Sequence, residues 1–304
     1  MSKYICIDIG GTAIKYGLAT ADGNLLEKGS MLTKISEDGT SAIPAKIAQI
    51  ADACCKRERV SGIAICSPGV VDAEKGSIVS AGINFPNFAG MMLKDEIEKR
   101  TSLPCSVEND VNAAGLGEAW IGAARGMRNV FCLCVGTGIG GSILLDGHLV
   151  HGAGNSAGEL GFLPLRGEDG ILDQLGSAAQ IVRDVAKSRK MEPSKLRGEE
   201  IFAWAKAGET DAIEAIDRMA RRLAQGIASV CYILDPEAVI LGGGIMAQRD
   251  YLLPRLNCAL DEEIAPAIRG HVTLKFAALG NDAGMIGALR HFLQQRENKN
   301  PCRK

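Results

Sequence analysis

The chain has 304 residues, 46% of them hydrophobic, which is ample for a sizeable core and suits two domains better than one. Its net charge of −2 is mixed in sign throughout, so no basic face marks nucleic acid as a partner. No apolar run approaches the roughly 20 residues that span a bilayer, and the opening MSKYICIDIGGT has no secretory-signal character, so a cytoplasmic protein with no membrane partner is expected.

The first element, YICIDI, reads as a buried strand that passes into Asp8-Ile9-Gly10-Gly11-Thr12. Glycines there let the backbone approach a ligand with its amides turned toward it, a concavity that suits phosphate oxygens. Asp8 beside it is placed to hold Mg²⁺ through water, and Thr12 and Lys15 add a hydroxyl and a cation. A tight turn with an incidental acid would read the same way. A second strand, an Asp22-Gly23 hairpin turn and a third strand follow.

After the helical segment TSAIPAKIAQIADACCKRE comes the apolar strand of VSGIAICSPGVVD. A further strand ends at Glu108-Asn109-Asp110 and opens a glycine- and alanine-rich helix, VNAAGLGEAW. Asp or Asn at that place often caps a helix. A general base that accepts a proton from an attacking hydroxyl needs the same carboxylate, and Asn109 and Asn112 are ready partners for sugar hydroxyls. The residues alone leave both roles for Asp110 open.

From position 130, VFCLCVGTGIGGSILLDGHLVHGA repeats the opening pattern, with Asp146-Gly147 at the matching hairpin. Its glycines, Gly136 to Gly141, spell the dinucleotide fingerprint G-x-G-x-x-G, but that fingerprint needs a helix next, and SILLDGHLV reads as strand and turn. A second phosphate loop mirroring Gly10-Gly11 is expected instead of a nicotinamide site. Glu159, in Gly158-Glu159-Leu160-Gly161, is a further acid within reach of a ligand. Helical segments then lead to EAVILGGGIM, where Gly242-Gly243-Gly244 either lets a nucleotide base or ribose pass close or simply ends a strand. KFAALGNDAGMIGALRHF repeats the strand, Asn-Asp step and helix, and Asn281-Asp282 is expected to be structural.

Three units repeated in the same order point to two related α/β lobes with a cleft between them that holds the chemistry. The small lobe is expected over 1–115, completed by a C-terminal helix at 283–304, and the large lobe over 116–282, with a short hinge near 113–125. The histidines form no metal set: His148 and His151 are three apart across a hairpin, His271 and His291 stand alone, and satisfied or surface positions are expected. Ten cysteines have the spacing of neither a disulfide framework nor a zinc site. Cys6, Cys66, Cys132, Cys134 and Cys231 lie in apolar runs, and reduced buried thiols are expected.

The set DIGGT, CSPGVVD, VENDVNAA, GTGIGG, AGELG and ILGGG, in this order, resembles the ROK family of bacterial sugar kinases and repressors over nearly the whole chain. The resemblance implies an actin-like, ribonuclease H-like ATPase fold, ATP and Mg²⁺ as cofactors, a hexose substrate and a homodimer. It makes Asp110 the catalytic base and puts Asp8, Gly10, Gly11 and Thr12 on the phosphates. Thr137 and Gly138 would also contact nucleotide phosphates, and Gly243 would lie near the adenosine. Asn84, Asn109, Asp110 and Glu159 would bind the sugar.

Two departures refine this. The DIGGT-like strand is not preceded by the winged-helix segment of family repressors, which favours a kinase over a sugar-sensing regulator without turnover. Zinc-binding members have His after E-x-G and a cysteine-rich loop; here Phe162 stands in that place and LPLRGEDGILDQLGS has no cysteine, so no zinc is expected. Asp173 would represent that loop's acid among the sugar ligands. AGELGF and HFLQ look like the β-glucoside kinases of the family, GVVDAEKGSIVSAG with PNFAG like its N-acetylmannosamine kinases, and glucose stays open.

Overall fold

The computed structural model describes residues 2–299. The chain divides into two units: unit 1 comprises Met1–Gly126, His151–Ser156 and the chain from Asn281 onward, and unit 2 comprises Met127–Val150 and Ala157–Gly280.

Unit 1 contains β1 (Lys3–Ile9), β2 (Ala13–Thr20), β3 (Leu25–Leu32), β4 (Val60–Ser67), β5 (Val70–Asp72), β6 (Ser77–Ser80) and β7 (Cys105–Asn109). Five of these form a sheet in the order β3-β2-β1-β4-β7, and β5 pairs with β6 alone. The first two pairings are antiparallel and the last two parallel, so β1, β4 and β7 end along one edge. Alternation on β1 explains its two buried faces. Ile5, Ile7 and Ile9 join Ile63, Ile65 and Val107 in a core that includes Ile43, Ile47 and Ile50 of the helix Ile43–Cys55. Those three isoleucines recur at helical spacing, which is why that segment folds as an amphipathic helix. Tyr4, Cys6, Ala64 and Cys66 face the other way, against Ala113, Met285, Ala288 and Leu289. The latter belong to the helices Asp110–Ile121 and Ala283–Lys299.

Unit 2 repeats the plan. Its strands are β8 (Val130–Val135), β9 (Ile139–Leu145), β10 (His148–Leu149), β11 (Ala238–Gly242) and β12 (Thr273–Phe276), in the order β10-β9-β8-β11-β12. The sense of each pairing matches unit 1 position for position. β11 is buried along its whole length, as a central strand with parallel neighbours should be. The 25-residue helix Thr210–Leu234 buries Ile216, Met219, Leu223 and Ile227 in this unit's core. Asp146 and Gly147 both have positive φ, as a two-residue hairpin between twisted strands requires.

The repeat expected from the sequence is therefore present, with differences in detail. The division falls at Gly126 rather than at 115, because the helix Asp110–Ile121 packs as a whole on the C-terminal helix of unit 1. Of the stretch 113–125, residues up to Ile121 are helical, and the division follows at Gly126. The return of His151–Ser156 to unit 1 was not foreseen. No helix among the described residues is long and apolar enough to cross a membrane. The nine described cysteines are free thiols, and burial pushes that of Cys6 up to about 12.

Candidate active site

In unit 1 the candidate residues gather at the carboxyl ends of the parallel strands, where α/β sheets commonly hold ligands. Asp8, Cys66 and Glu108 are register partners across β1, β4 and β7, and Lys15 is the partner of Asp8 on β2. Cross-strand partners point to one face, so the Lys15 ammonium reaches Asp8 Oδ2 at 3.1 Å. The glycine turn follows at once. Gly10 N–H donates to Ala13 O at 3.0 Å, which closes the turn. Gly11 and Thr12 are exposed at its tip. Asn84 is exposed on a turn that Phe85 N–H closes on Gly82 O at 2.9 Å. Phe85 is buried there, and a side chain on Gly11 would meet its ring at 3.9 Å.

The β7–helix joint settles the capping question. Asn109, not Asp110, is the N-cap: its Oδ1 accepts from Val111 N and Asn112 N, each at 2.9 Å. Its Nδ2 donates to Gly69 O at 2.9 Å and to Asp110 Oδ1 at 3.1 Å. The Asn109 side chain thus caps the helix with its oxygen and holds Asp110 Oδ1 with its amide. Asp110, relieved of capping, is half-buried in the first turn of the helix. Burial drives the Cys66 thiol well up, and the charges of Asp8 and Asp110 push it further, so both carboxylates surround one buried thiol. The repeat's other acid, Asp282, is in unit 1 and pairs with Lys28 at 2.9 Å, in keeping with a structural role.

Sequence reasoning missed what lies behind this joint. The Glu108 carboxylate is wholly buried, with His151 Nε2 at 2.8 Å and His291 Nδ1 at 3.4 Å from its Oε2. Its Oε1 accepts from Asn109 N–H at 2.8 Å and from the Asn112 amide at 3.1 Å. His151 and His291 are satisfied, as expected, but they do not stand alone. A third histidine, His271, pairs with Asp235 at 2.5 Å.

In unit 2 the second glycine turn follows β8. Gly136 N–H donates to Gly138 O at 2.8 Å, Thr137 is exposed at the tip, and the chain runs straight into β9 as expected. Asp173 Oδ1 accepts from Ile139 N–H at 2.5 Å and would be 2.7 Å from a side chain on Gly138. Asp173, expected among the sugar ligands, braces the second glycine turn through this bond. Glu159 lies near it: burial raises the Glu159 carboxyl, and the Asp173 charge adds to that. Phe162, three residues on, is 71% exposed. Gly243 has φ +98° and lies against the Val135 carbonyl, a position that admits only glycine. Beyond it, Gly244, Ile245, Ala247 and Gln248 share a cavity of about 500 Å³ with Thr137, Ala178 and Arg197. Among the described residues, no group of three or more His, Cys, Asp or Glu side chains is placed to hold a metal ion.

A sequence model of the ROK family matches residues 4–295. The chain belongs to the ROK family. It is 33% identical to a glucokinase of Thermotoga maritima, over 94% of this chain and 96% of that one. It is 32% identical to a β-glucoside kinase of Listeria innocua, over 98% and 99% respectively. A ROK family glucokinase of Streptomyces griseus, solved in complex with glucose and AMPPNP, superposes with a TM-score of 0.80 at 28% identity, over 95% of this chain and 98% of that one. The repeated sheet order and these likenesses give the actin-like, ribonuclease H-like ATPase fold.

Proposed function

We propose that Asp110 is the general base with which this carbohydrate kinase of the ROK family moves the γ-phosphoryl group of ATP onto a hexose or hexoside hydroxyl. The observation that carries the reading is the joint at β7: Asn109 takes over the capping and its amide fixes Asp110 Oδ1, so a carboxylate stands oriented at the edge where Asp8, Gly11 and Thr12 also lie. Phosphoryl transfer asks mainly for positioning and charge stabilisation. Asp110 takes the proton of the attacking hydroxyl. Asn84 and Glu159 hold sugar hydroxyls, and exclusion of water from the reacting groups keeps it from accepting the phosphoryl group.

The cavity lined by Thr137 and Gly244–Gln248 suits the nucleoside; its 500 Å³ lies within the roughly 300–1,000 Å³ usual for small-molecule sites. Thr137 and Gly138 approach the nucleotide phosphates from the turn that Asp173 braces, and Lys15 serves phosphate charge in unit 1. Asp8, an oxygen donor beside an exposed turn, fits Mg²⁺ held through water, which would neutralise phosphate charge there. The sugar is glucose, a β-glucoside or N-acetylmannosamine. Incubation with ATP, Mg²⁺ and each of the three, followed by mass spectrometry, should yield a sugar monophosphate from at least one. Sugar binding with no phosphorylated product would favour a regulatory protein instead.

Two further results are expected. Asp173→Ala removes the acceptor for Ile139 N–H, and a hydrogen bond to a charged group contributes about 1.5–3 kcal/mol. The KM for ATP should therefore rise by roughly tenfold or more with the KM for sugar nearly unchanged. A change confined to the sugar KM would return Asp173 to the sugar ligands. Metal analysis of untagged protein after dialysis against EDTA should find no stoichiometric zinc, with activity intact once Mg²⁺ is restored, because residues 151–180 contain no cysteine and Phe162 replaces a possible ligand. One tightly held zinc per chain would contradict this.

A further inference from the structure

Glu108 is a buried carboxylate that the transfer itself does not use. Its two oxygens draw together four parts of unit 1: the end of β7, the first turn of the helix Asp110–Ile121, the helix Ala283–Lys299 through His291, and the segment His151–Ser156 through His151. The bonds run in series toward the base. His151 holds Glu108 Oε2, Glu108 Oε1 holds Asn109 N–H and the Asn112 amide, and the Asn109 amide holds Asp110 Oδ1. The segment that carries His151 leaves unit 2 at Val150 and rejoins it at Ala157, two residues before Glu159.

We propose that Glu108 and His151 are positioning residues for Asp110, and that through them the place of the base depends on the docking of residues 151–156. The inference rests on Asp110 being the base.

The charge state of the cluster follows from what faces each group. The Gln295 amide donates to Ala73 O at 2.8 Å and lies 2.9 Å from His291 Nε2, so that nitrogen accepts and the His291 proton sits on Nδ1, toward Glu108. Burial keeps His291 neutral by lowering its pKa, against the pull of Glu108, with His151 and Lys94 also opposing its protonation. His151 is the reverse. The hydrogen bond to Glu108 raises its pKa above 6.5 despite partial burial, and the charges of Glu108 and Asp72 add to that. Asp72 is itself paired with Lys75 at 2.9 Å, and the His291 ring lies 6.5 Å from that of His151. Burial works to raise Glu108, but the His151 hydrogen bond, the attraction of the His291 and His151 rings and the Asn109 N–H prevail and hold it below 4.5.

The signs then separate. The stabilisation from the charged His151 is fully present below 6.5 and is lost as pH rises through its higher folded value. That from neutral His291 is present above 6.5 and is lost as pH falls through its lower folded value. Glu108 contributes above 4.5 and loses its contribution on further acidification. The clamp is thus closed by charge on the mildly acidic side and loosens as pH rises through the raised value of His151.

The test is made on His151, which is partly exposed, rather than on wholly buried Glu108. With the sugar found to turn over, kcat of the wild type should fall on the alkaline side through a group above 6.5. His151→Gln keeps a donor for Glu108 but cannot be charged. Its kcat should lie at the wild type's alkaline level throughout, with that limb gone and the KM for ATP within about twofold. His151→Leu removes donor and charge together, and since a misplacement of about 1 Å can cost roughly a hundredfold in rate, kcat should fall by about tenfold to a hundredfold. A wild-type alkaline limb retained in His151→Gln, or His151→Leu with kcat within about twofold of wild type, overturns the proposal. A melting temperature lowered with kcat and its pH profile unmoved would make the cluster purely structural and overturns it as well. Asp110→Asn run alongside separates the two readings: an active Asp110→Asn removes the base and this inference with it, whereas an inactive one with unmoved His151 variants removes the inference alone.

Discussion

Replacement of Gly287 by alanine should destabilise the protein by at least about 3 kcal/mol, at the upper end of what overpacking commonly costs. The helices Asp110–Ile121 and Ala283–Lys299 touch backbone to backbone. A side chain on Gly287 would run into the Ala113 carbonyl and lie 2.8 Å from Gly117 N, and one on Gly117 would lie 2.6 Å from Ala283 O. Ala113 and Gly117 are four apart on one helix, as are Ala283 and Gly287 on the other, so each presents a small-residue strip at helical spacing. A close-packed interior cannot absorb the extra methyl group without separating the helices. The helix it packs on begins at Asp110, so whatever folded protein remains should also lose activity. Urea and thermal melts of Gly287→Ala read the first effect, and kcat of the folded fraction reads the second. A melting temperature within a degree or two of wild type would mean that the two helices separate at no cost.

That contact bears on what the sequence made legible. The Asn-Asp step and the helix after it occur twice, and the repeat alone led to two related lobes. The C-terminal helix is expected to complete the small lobe, but the repeat did not say that the two helices meet glycine to glycine, because a repeat gives kinship and not packing. The glycine turns were legible because strand–glycine–strand is a local pattern, and the G-x-G-x-x-G of Gly136–Gly141 was set aside on local grounds: a strand follows it, not a helix.

What stayed hidden was long-range or a matter of one position. Asn109 and Asp110 are both competent caps, and only the backbone conformation of Asn109 decides between them. The bond from the Ile139 amide to Asp173 was not legible, because the two are 34 residues apart and backbone amides leave no mark in a sequence. Glu108, His151 and His291 come from three distant parts of the chain, and nothing near any one of them announces the other two. The one signal available was Glu108 itself: an acid in an otherwise apolar strand has to be paired once buried.

The central claim is that Asp110 takes a proton, and Asp110→Asn tests it with little else disturbed. Asn109 does the capping, so the helix start survives the change, and asparagine keeps an Oδ1 for the bonds from Asn109 Nδ2 and Val111 N–H. Folding stability should be nearly unaltered, and sugar affinity measured by calorimetry should weaken only modestly. General-base catalysis contributes about 10²–10⁴ in rate, so sugar-dependent ADP release should fall by at least roughly a hundredfold. Asp282→Asn, which weakens the pair with Lys28, should leave turnover close to wild type. Asp110→Asn releasing ADP at most of the wild-type rate, with Asp282→Asn inactive, would contradict the account and move the base to the other copy of the repeat.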